Sequence, residues 1–216
     1  MITNRTIDSA ILRLRRLIRR WEEPIVGHYK RDAFKTLISC LLSLRTKDAV
    51  TRDASERLFR LARTPQQMLR LSIPTIKRAI YPVGFYKTKA RTLHTVCRTL
   101  IDRYSGRVPD DLDELLTIKG VGRKTANLVI TLAFRKDGIC VDTHVHRISN
   151  RWGYVRTKTP DETEMALRKK LPRRHWQIYN DLLVTFGQNL CHPTSPWCSR
   201  CPFEAECAKI GVRHSR

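Results

Sequence analysis

Acidic residues are scarce in this chain: 20 Asp and Glu stand against 42 Lys and Arg in 216 residues, a formal net charge of +22. The shortage excludes an acidic surface and leaves a positive field whose natural partner is a polyanion. Long apolar runs are missing too. None approaches the roughly 18 residues of a membrane span, so nucleic acid is favoured over an anionic lipid surface and no membrane association is expected. No signal peptide is read. Arg13, Arg15, Arg16, Arg19 and Arg20 make an Arg-rich, acid-poor stretch like a targeting helix. Ile11, Leu14, Ile18 and Trp21 nevertheless share one helical stripe with Arg13, Arg16 and Arg20 opposite, as expected for a helix packed on the protein body. Seven cysteines without an export signal, with Cys40, Cys97 and Cys140 isolated, point to a reducing compartment rather than a disulfide scaffold.

Sustained apolar/polar alternation is absent as well, so no segment reads as a strand and the chain is expected to be all-α. No linker, low-complexity stretch or fixed-period repeat stands out. What is present is helical periodicity. Phe34, Leu37, Ile38, Leu41 and Leu42 recur at helical spacing, and no charge occurs from Thr36 to Leu44, which predicts a helix buried on most sides. Leu93, Val96, Cys97, Leu100, Ile101 and Tyr104 form a second stripe, starting after Thr88 and closing at Gly106. Thr159, Pro160, Asp161 and Glu162 read as a helix start, with a cap, a first-turn proline and acids at the positive end of the dipole. Pro74, Gly84, Pro109, Gly120, Gly122, Gly138, Pro172 and Gly187 read as breaks between short helices.

The segment LLTIKGVGRKTANLV, from Leu115 to Val129, places two glycines between a helix opened by Pro109 and Asp110 and another starting near Arg123. Glycine lets the backbone turn sharply, and it lets N–H groups approach a phosphate at the positive end of the second helix. Gly120 and Gly122 are therefore candidate phosphate contacts, reinforced by Lys119 and Arg123; the competing reading is an ordinary turn between antiparallel helices. Lys124 follows in the first helical turn. The dipole and Arg123 both disfavour a charged ammonium there, the condition for an amine nucleophile that forms a Schiff base. Taken alone, a basic residue at this place is more often a solvated phosphate contact.

Eighteen residues beyond Lys124 the chain reads VDTHVHR from Val141 to Arg147. Asp142 suits an N-cap, and a carboxylate held near a lysine can also take its proton or stabilise positive charge on a sugar ring. His144 and His146 are two residues apart, on different helix faces, and make a poor metal pair. Cys191, Cys198, Cys201 and Cys207 are separated by six, two and five residues in a Pro-rich irregular segment. Four cysteines without histidine can hold zinc or an iron-sulfur cluster, and a single CxxC with a wide first interval leans toward 4Fe-4S.

With these residues assembled, the sequence resembles the endonuclease III family of helix-hairpin-helix DNA glycosylases. The carriers are LLSLRTKDAVT at 41–51, GFYKTKA at 84–90, IKGVGRKTANLV at 118–129, VDTHVHRISNR at 141–151 and the C-x6-C-x2-C-x5-C array. The resemblance implies a two-domain fold. A six-helix barrel domain over 26–136, with the helix-hairpin-helix at about 111–135, is inserted into a discontinuous domain of 1–25 and 137–216 that carries the 4Fe-4S loop (191–207). The active site is expected in the cleft between. It implies a bifunctional glycosylase and AP lyase of base-excision repair acting on oxidised pyrimidines: Lys124 attacks C1′, Asp142 assists, the base leaves, and β-elimination breaks the strand. Expected DNA contacts are Arg45, Phe85, Lys119, Gly120, Gly122, Arg123 and His144. The partner is damaged double-stranded DNA flipped at the lesion, the chain is expected to be a monomer, and its place is the cytoplasm of a prokaryotic cell, at the nucleoid, without a targeting segment.

The sequence departs from the family pattern at Arg45, where bacterial members usually carry a glutamine that fills the gap left by the flipped base. A guanidinium reads a base differently, or binds a phosphate. Phe85 stands where a leucine wedge is common; it inserts between bases or packs in the core. Two other readings remain: a monofunctional mismatch glycosylase, and a non-catalytic hairpin DNA-binding protein. Lys124 argues against both.

Overall fold

The computed structural model describes residues 1–21, 29 and 31–216, and every regular element among them is helical. The chain divides into two compact units, Ile25–Lys136 and Met1–Pro24 with Asp137–Arg216. The expected boundary at residues 25 and 26 lies outside the described residues. Among the described residues no helix is long and apolar enough to cross a membrane.

The continuous unit holds α2 (Ala33–Ser43), α3 (Asp48–Leu61), α4 (Pro65–Arg70), α5 (Ile73–Ile80), α6 (Tyr86–Tyr104), α7 (Leu112–Thr117) and α8 (Arg123–Leu132), following α1 (Ile7–Ile18) of the other unit. Capping explains where several start. Asp32 accepts from Lys35 N ahead of α2, Thr64 and Ser72 cap α4 and α5 with a proline just inside each, and Asp111 accepts from Asp113 N and Glu114 N ahead of α7. The hairpin's first helix is thus opened by Asp111, not by Pro109 and Asp110, because only that carboxylate reaches the free N–H groups. α2 runs through the core: Leu37, Ile38 and Leu42 are fully buried, each worth roughly 1.5–3 kcal/mol of transfer free energy. It packs on α3, α6 and α8. α6 begins at Tyr86, two residues ahead of Thr88, because Phe85 adopts a left-handed conformation and its carbonyl already accepts from Lys89 N.

The discontinuous unit packs α1 with α9 (Thr143–Arg151), α10 (Pro160–Lys170) and α11 (Trp176–Asn189) around Trp152, Tyr154, Tyr179, Phe186 and Phe203. Ile7, Ile11 and Leu14 bury the apolar stripe of α1. Arg13 faces solvent only in part, with 35% of its side chain exposed. Its guanidinium lies over the Phe203 ring, 4.8 Å from the centroid, and pairs with Glu206, since a long side chain can bury its stem while its head finds a carboxylate. Gly187 is not a break; it lies inside α11. A Cβ there would meet His144 Nδ1 at 2.3 Å and Arg147 Nη2 at 2.9 Å, so the glycine is required by close approach.

Candidate functional site

The hairpin is anchored by its apolar residues and opened by its glycines. Ile118 and Val121 are buried, and Val121 N donates to Ile118 O at 2.9 Å, which closes the turn. The glycines divide the work. Gly120 has φ +98°, a conformation L-residues rarely adopt, and a Cβ on it would meet Thr92 Cγ2 at 2.5 Å. Gly122 has φ −92° and ψ 171°, open to any residue, and nothing lies within 4 Å of where its Cβ would be. Only Gly120 makes the sharp turn. Gly122 is the N-cap of α8 with no side-chain cap, so the first-turn N–H groups face a surface cleared of side chain. Lys119, Gly120 and Gly122 are exposed, while Arg123 and Lys124 are half-buried as the first two residues of α8.

In the same unit, Arg45 follows the C-cap of α2 and Phe85 precedes α6, with φ 53° and 57°. Left-handed backbone at bulky residues costs of order 1–3 kcal/mol and marks places where the surroundings impose the conformation. Arg45 Cζ lies 5.7 Å from the Phe85 ring centroid, a cation–π contact, and Phe85 is 62% exposed. The core-packed reading of Phe85 is thereby overturned.

In the other unit, Asp142 is the N-cap of α9: its Oδ1 accepts from His144 N at 2.8 Å and Val145 N at 2.9 Å, which orients the carboxylate at the positive end of the helix. Arg147 Nη2 stands 3.1 Å from His144 Nδ1, and a guanidinium can only donate. The ring nitrogen Nδ1 must therefore accept, which puts the imidazole proton on Nε2, a donor suited to a phosphate oxygen. The same guanidinium donates to Cys191 O at 2.8 Å, tying α9 to the cysteine segment. Sequence reasoning missed Arg147 and Gly187, because their partners lie about 40 residues away along the chain.

Cys191, Cys198, Cys201 and Cys207 all line one pocket, walled by Trp152, Phe186, Leu190 and Trp197. Their side chains are not gathered around a point: among the described residues no group of three or more His, Cys, Asp or Glu is placed to hold a single metal ion. Arg151, 5% exposed, donates Nη1 to Cys191 Sγ at 3.4 Å and to His192 O at 2.6 Å, and Lys209 N donates to Cys207 Sγ at 3.4 Å. Burial pushes the Cys201 thiol up to about 12 and raises that of Cys207. Cys40, Cys97 and Cys140 are buried and lie apart from this array.

The structure thus brings Arg45 beside Phe85, sets Lys119, Gly120, Gly122, Arg123 and Lys124 on one hairpin, and gathers the four cysteines on one pocket. Lys124 and Asp142 belong to different units.

Residues 38–173 match the family model described as HhH-GPD superfamily base excision DNA repair protein. The chain is 46% identical to endonuclease III of Thermotoga maritima over 84% of its own length and 85% of the relative's. Its fold is similar to a structure described as a trapped endonuclease III-DNA covalent intermediate with an estranged adenine, at a TM-score of 0.87 and 35% identity, over 97% of both chains. A thermostable thymine-DNA glycosylase is similar at a TM-score of 0.83 and 25% identity, over 95% of both chains.

Proposed function

This chain belongs to the HhH-GPD superfamily of base excision DNA repair proteins and, within it, to the endonuclease III family, and from that premise we propose how its residues act. It is a DNA N-glycosylase with AP lyase activity, and DNA is its partner. Our reading assigns it oxidised pyrimidines in duplex DNA, bound by a monomer at the nucleoid of a prokaryotic cytoplasm. The observation that carries the reaction is the place of Lys124, in the first turn of α8 directly behind the exposed, uncapped Gly122. Phosphates of the damaged strand seat on the hairpin N–H groups and on Lys119 and Arg123, while His144 donates Nε2–H to another. Phe85 enters the stack and Arg45 meets the base left behind.

Lys124 Nζ then attacks C1′ of the flipped nucleotide as the C1′–N bond to the base breaks, and the base leaves with a proton drawn from water. Asp142 takes the proton from the lysine and balances positive charge on the sugar. The C1′–O4′ bond then breaks, O4′ taking a proton as the sugar ring opens, and the resulting Schiff base acidifies C2′–H; loss of that proton breaks the C3′–O3′ bond, expels the 3′ phosphate and nicks the strand. Borohydride is expected to trap wild-type protein on lesion-bearing duplex and to trap nothing with Lys124→Ala; an undiminished adduct overturns the assignment. Asp142→Asn keeps a competent cap and should slow the single-turnover rate by about 10²- to 10⁴-fold, the usual worth of a general base. An unchanged rate with lowered stability would leave Asp142 a cap alone. Base release without strand cleavage would instead favour the mismatch-glycosylase reading, which the likeness to a thymine-DNA glycosylase keeps in view.

We also assign a 4Fe-4S cluster to Cys191, Cys198, Cys201 and Cys207. What supports the reading is that all four cysteines line one apolar pocket, and that N–H donors reach the sulfurs of Cys191 and Cys207. When bound, the cluster supplies iron–thiolate bonds that order a segment too short for its own core. Arg151 and Lys209 orient Cys191 and Cys207 from outside. Anaerobically purified protein should be brown, with about four irons per chain for a full cubane. Stoichiometric zinc without iron would refute it.

A further inference from the structure

Lys89 is a cation in an unusual place, 9% exposed in the first turn of α6. Its ammonium spends all three donors on chain that lies more than 40 residues away: Leu42 O at 2.7 Å, Leu44 O, and Thr46 Oγ1 at 3.1 Å. Two of these acceptors are carbonyls at the negative end of α2, which the charge complements. Thr46 completes the tie. Its hydroxyl donates to Leu44 O at 3.3 Å and accepts from Gly84 N at 3.1 Å. The two main chains also touch, since a Cβ on Gly84 would meet Arg45 O at 2.6 Å. The residues that emerge from this tie are Arg45 and Phe85, both left-handed, their side chains in cation–π contact.

We propose that Lys89 is a positioning residue for lesion recognition: through Thr46 and the end of α2 it locks the Arg45 and Gly84–Phe85 loops to each other, so that wedge and reader meet DNA as one piece. The inference rests on the assignment of Arg45 and Phe85 to DNA made above. A side chain that only completed the core would need no charge and no bond to either loop. Here every hydrogen bond of the ammonium ends on the segment around Arg45, and Thr46 passes the restraint to Gly84. Burial pushes the ammonium down to about 8, so it still carries its three protons at neutral pH. Preorganised loops enter the stack without an ordering cost, and that cost falls on lesion binding rather than on the attack at C1′.

The test uses full-length, cluster-loaded protein as Lys89→Met, Thr46→Val, Phe85→Ala and the Lys89→Met/Phe85→Ala double variant. Binding to a thymine-glycol duplex and to the matched undamaged duplex is read alongside the single-turnover rate at saturating enzyme. Lys89→Met should lower the ratio of lesion to undamaged affinity about tenfold, the scale of one lost stacking contact, with undamaged binding and saturated rate within about twofold. In the Phe85→Ala background the further loss should shrink to under about twofold, because the two residues act through one loop. Thr46→Val, a smaller change, should reproduce part of the loss and carries the test if Lys89→Met fails to fold. Equal losses on both duplexes, an unchanged ratio, or losses that add fully with Phe85→Ala would overturn the inference. Wild-type protein that neither prefers nor is trapped on the lesion duplex would overturn the functional reading and this inference together; a trapped wild type with an unaffected Lys89→Met would overturn this inference alone.

Discussion

The hairpin ahead of α8 and the paired loops carrying Arg45 and Phe85 sit in the same unit and, in the function proposed above, answer DNA by opposite means. The hairpin presents main chain: its turn is made by one residue without a side chain, and its exposed cap is another. The loops present side chains, a guanidinium over a phenyl ring, on backbone that those side chains would not choose. A backbone site reads phosphate and is indifferent to sequence; a side-chain site reads bases and has to be held in place. The two are accordingly supported differently. Buried Ile118 and Val121 pin the hairpin from below, whereas the loops hang on a buried ammonium and a hydroxyl.

The largest expected effect separates the two hairpin glycines. Gly120→Ala forces a Cβ into φ +98° and against Thr92 Cγ2 at 2.5 Å, and should cost at least about 1–3 kcal/mol in denaturant unfolding. Gly122→Ala meets open space at an ordinary φ, and should stay within about 0.5 kcal/mol of wild type while weakening binding to every duplex. Equal stabilities for the two variants would break the division of labour described here.

Next in size is Arg45→Gln, measured as the ratio of single-turnover rates for one lesion opposite guanine and opposite adenine. A bidentate contact to guanine O6 and N7 is worth about 1–3 kcal/mol, so the ratio should shift about tenfold to a hundredfold. A uniform loss on both duplexes, with a shallower salt dependence, would move Arg45 into the phosphate-binding class of the hairpin and dissolve the contrast.

The smallest effect is a pH signature of the loops. Burial lowers the Lys89 ammonium from 10.5 to about 8 in the folded chain. Between those values the unfolded chain binds the proton and the folded chain does not, so stability rises with pH by up to about 1.4 kcal/mol per unit. The wild-type stability relative to Lys89→Met should therefore climb between pH 8 and about 9.5 and be lost again as pH falls through 8. Parallel curves would show that the three hydrogen bonds of the ammonium offset its burial, and would break this prediction.

How much of this was legible in the sequence depended on distance along the chain. The hairpin, the α8 start and the Asp142 cap are built from residues within a few positions of one another, and caps, turns and helical stripes are local physics. The four cysteines were legible as a set for the same reason. Gly187 misled, because a glycine inside a helix reads as a break until His144 and Arg147 are seen pressing on it. Phe85 stood open between core and surface, since an aromatic after a glycine carries no sign of which way it points.

By itself, then, the sequence determined an all-helical chain, a polyanion partner, the hairpin with Lys124, the capped Asp142 and the cysteine array, because each follows from composition or from residues close in the chain. Only the tertiary structure decided which hairpin glycine bears the turn, that Phe85 stands exposed beside Arg45, and that Lys89 ties their loops together. Those facts depend on which surfaces of distant segments meet and on how buried donors find acceptors 43 to 47 residues away, and hydrogen-bond satisfaction in the interior is settled by packing rather than by local pattern.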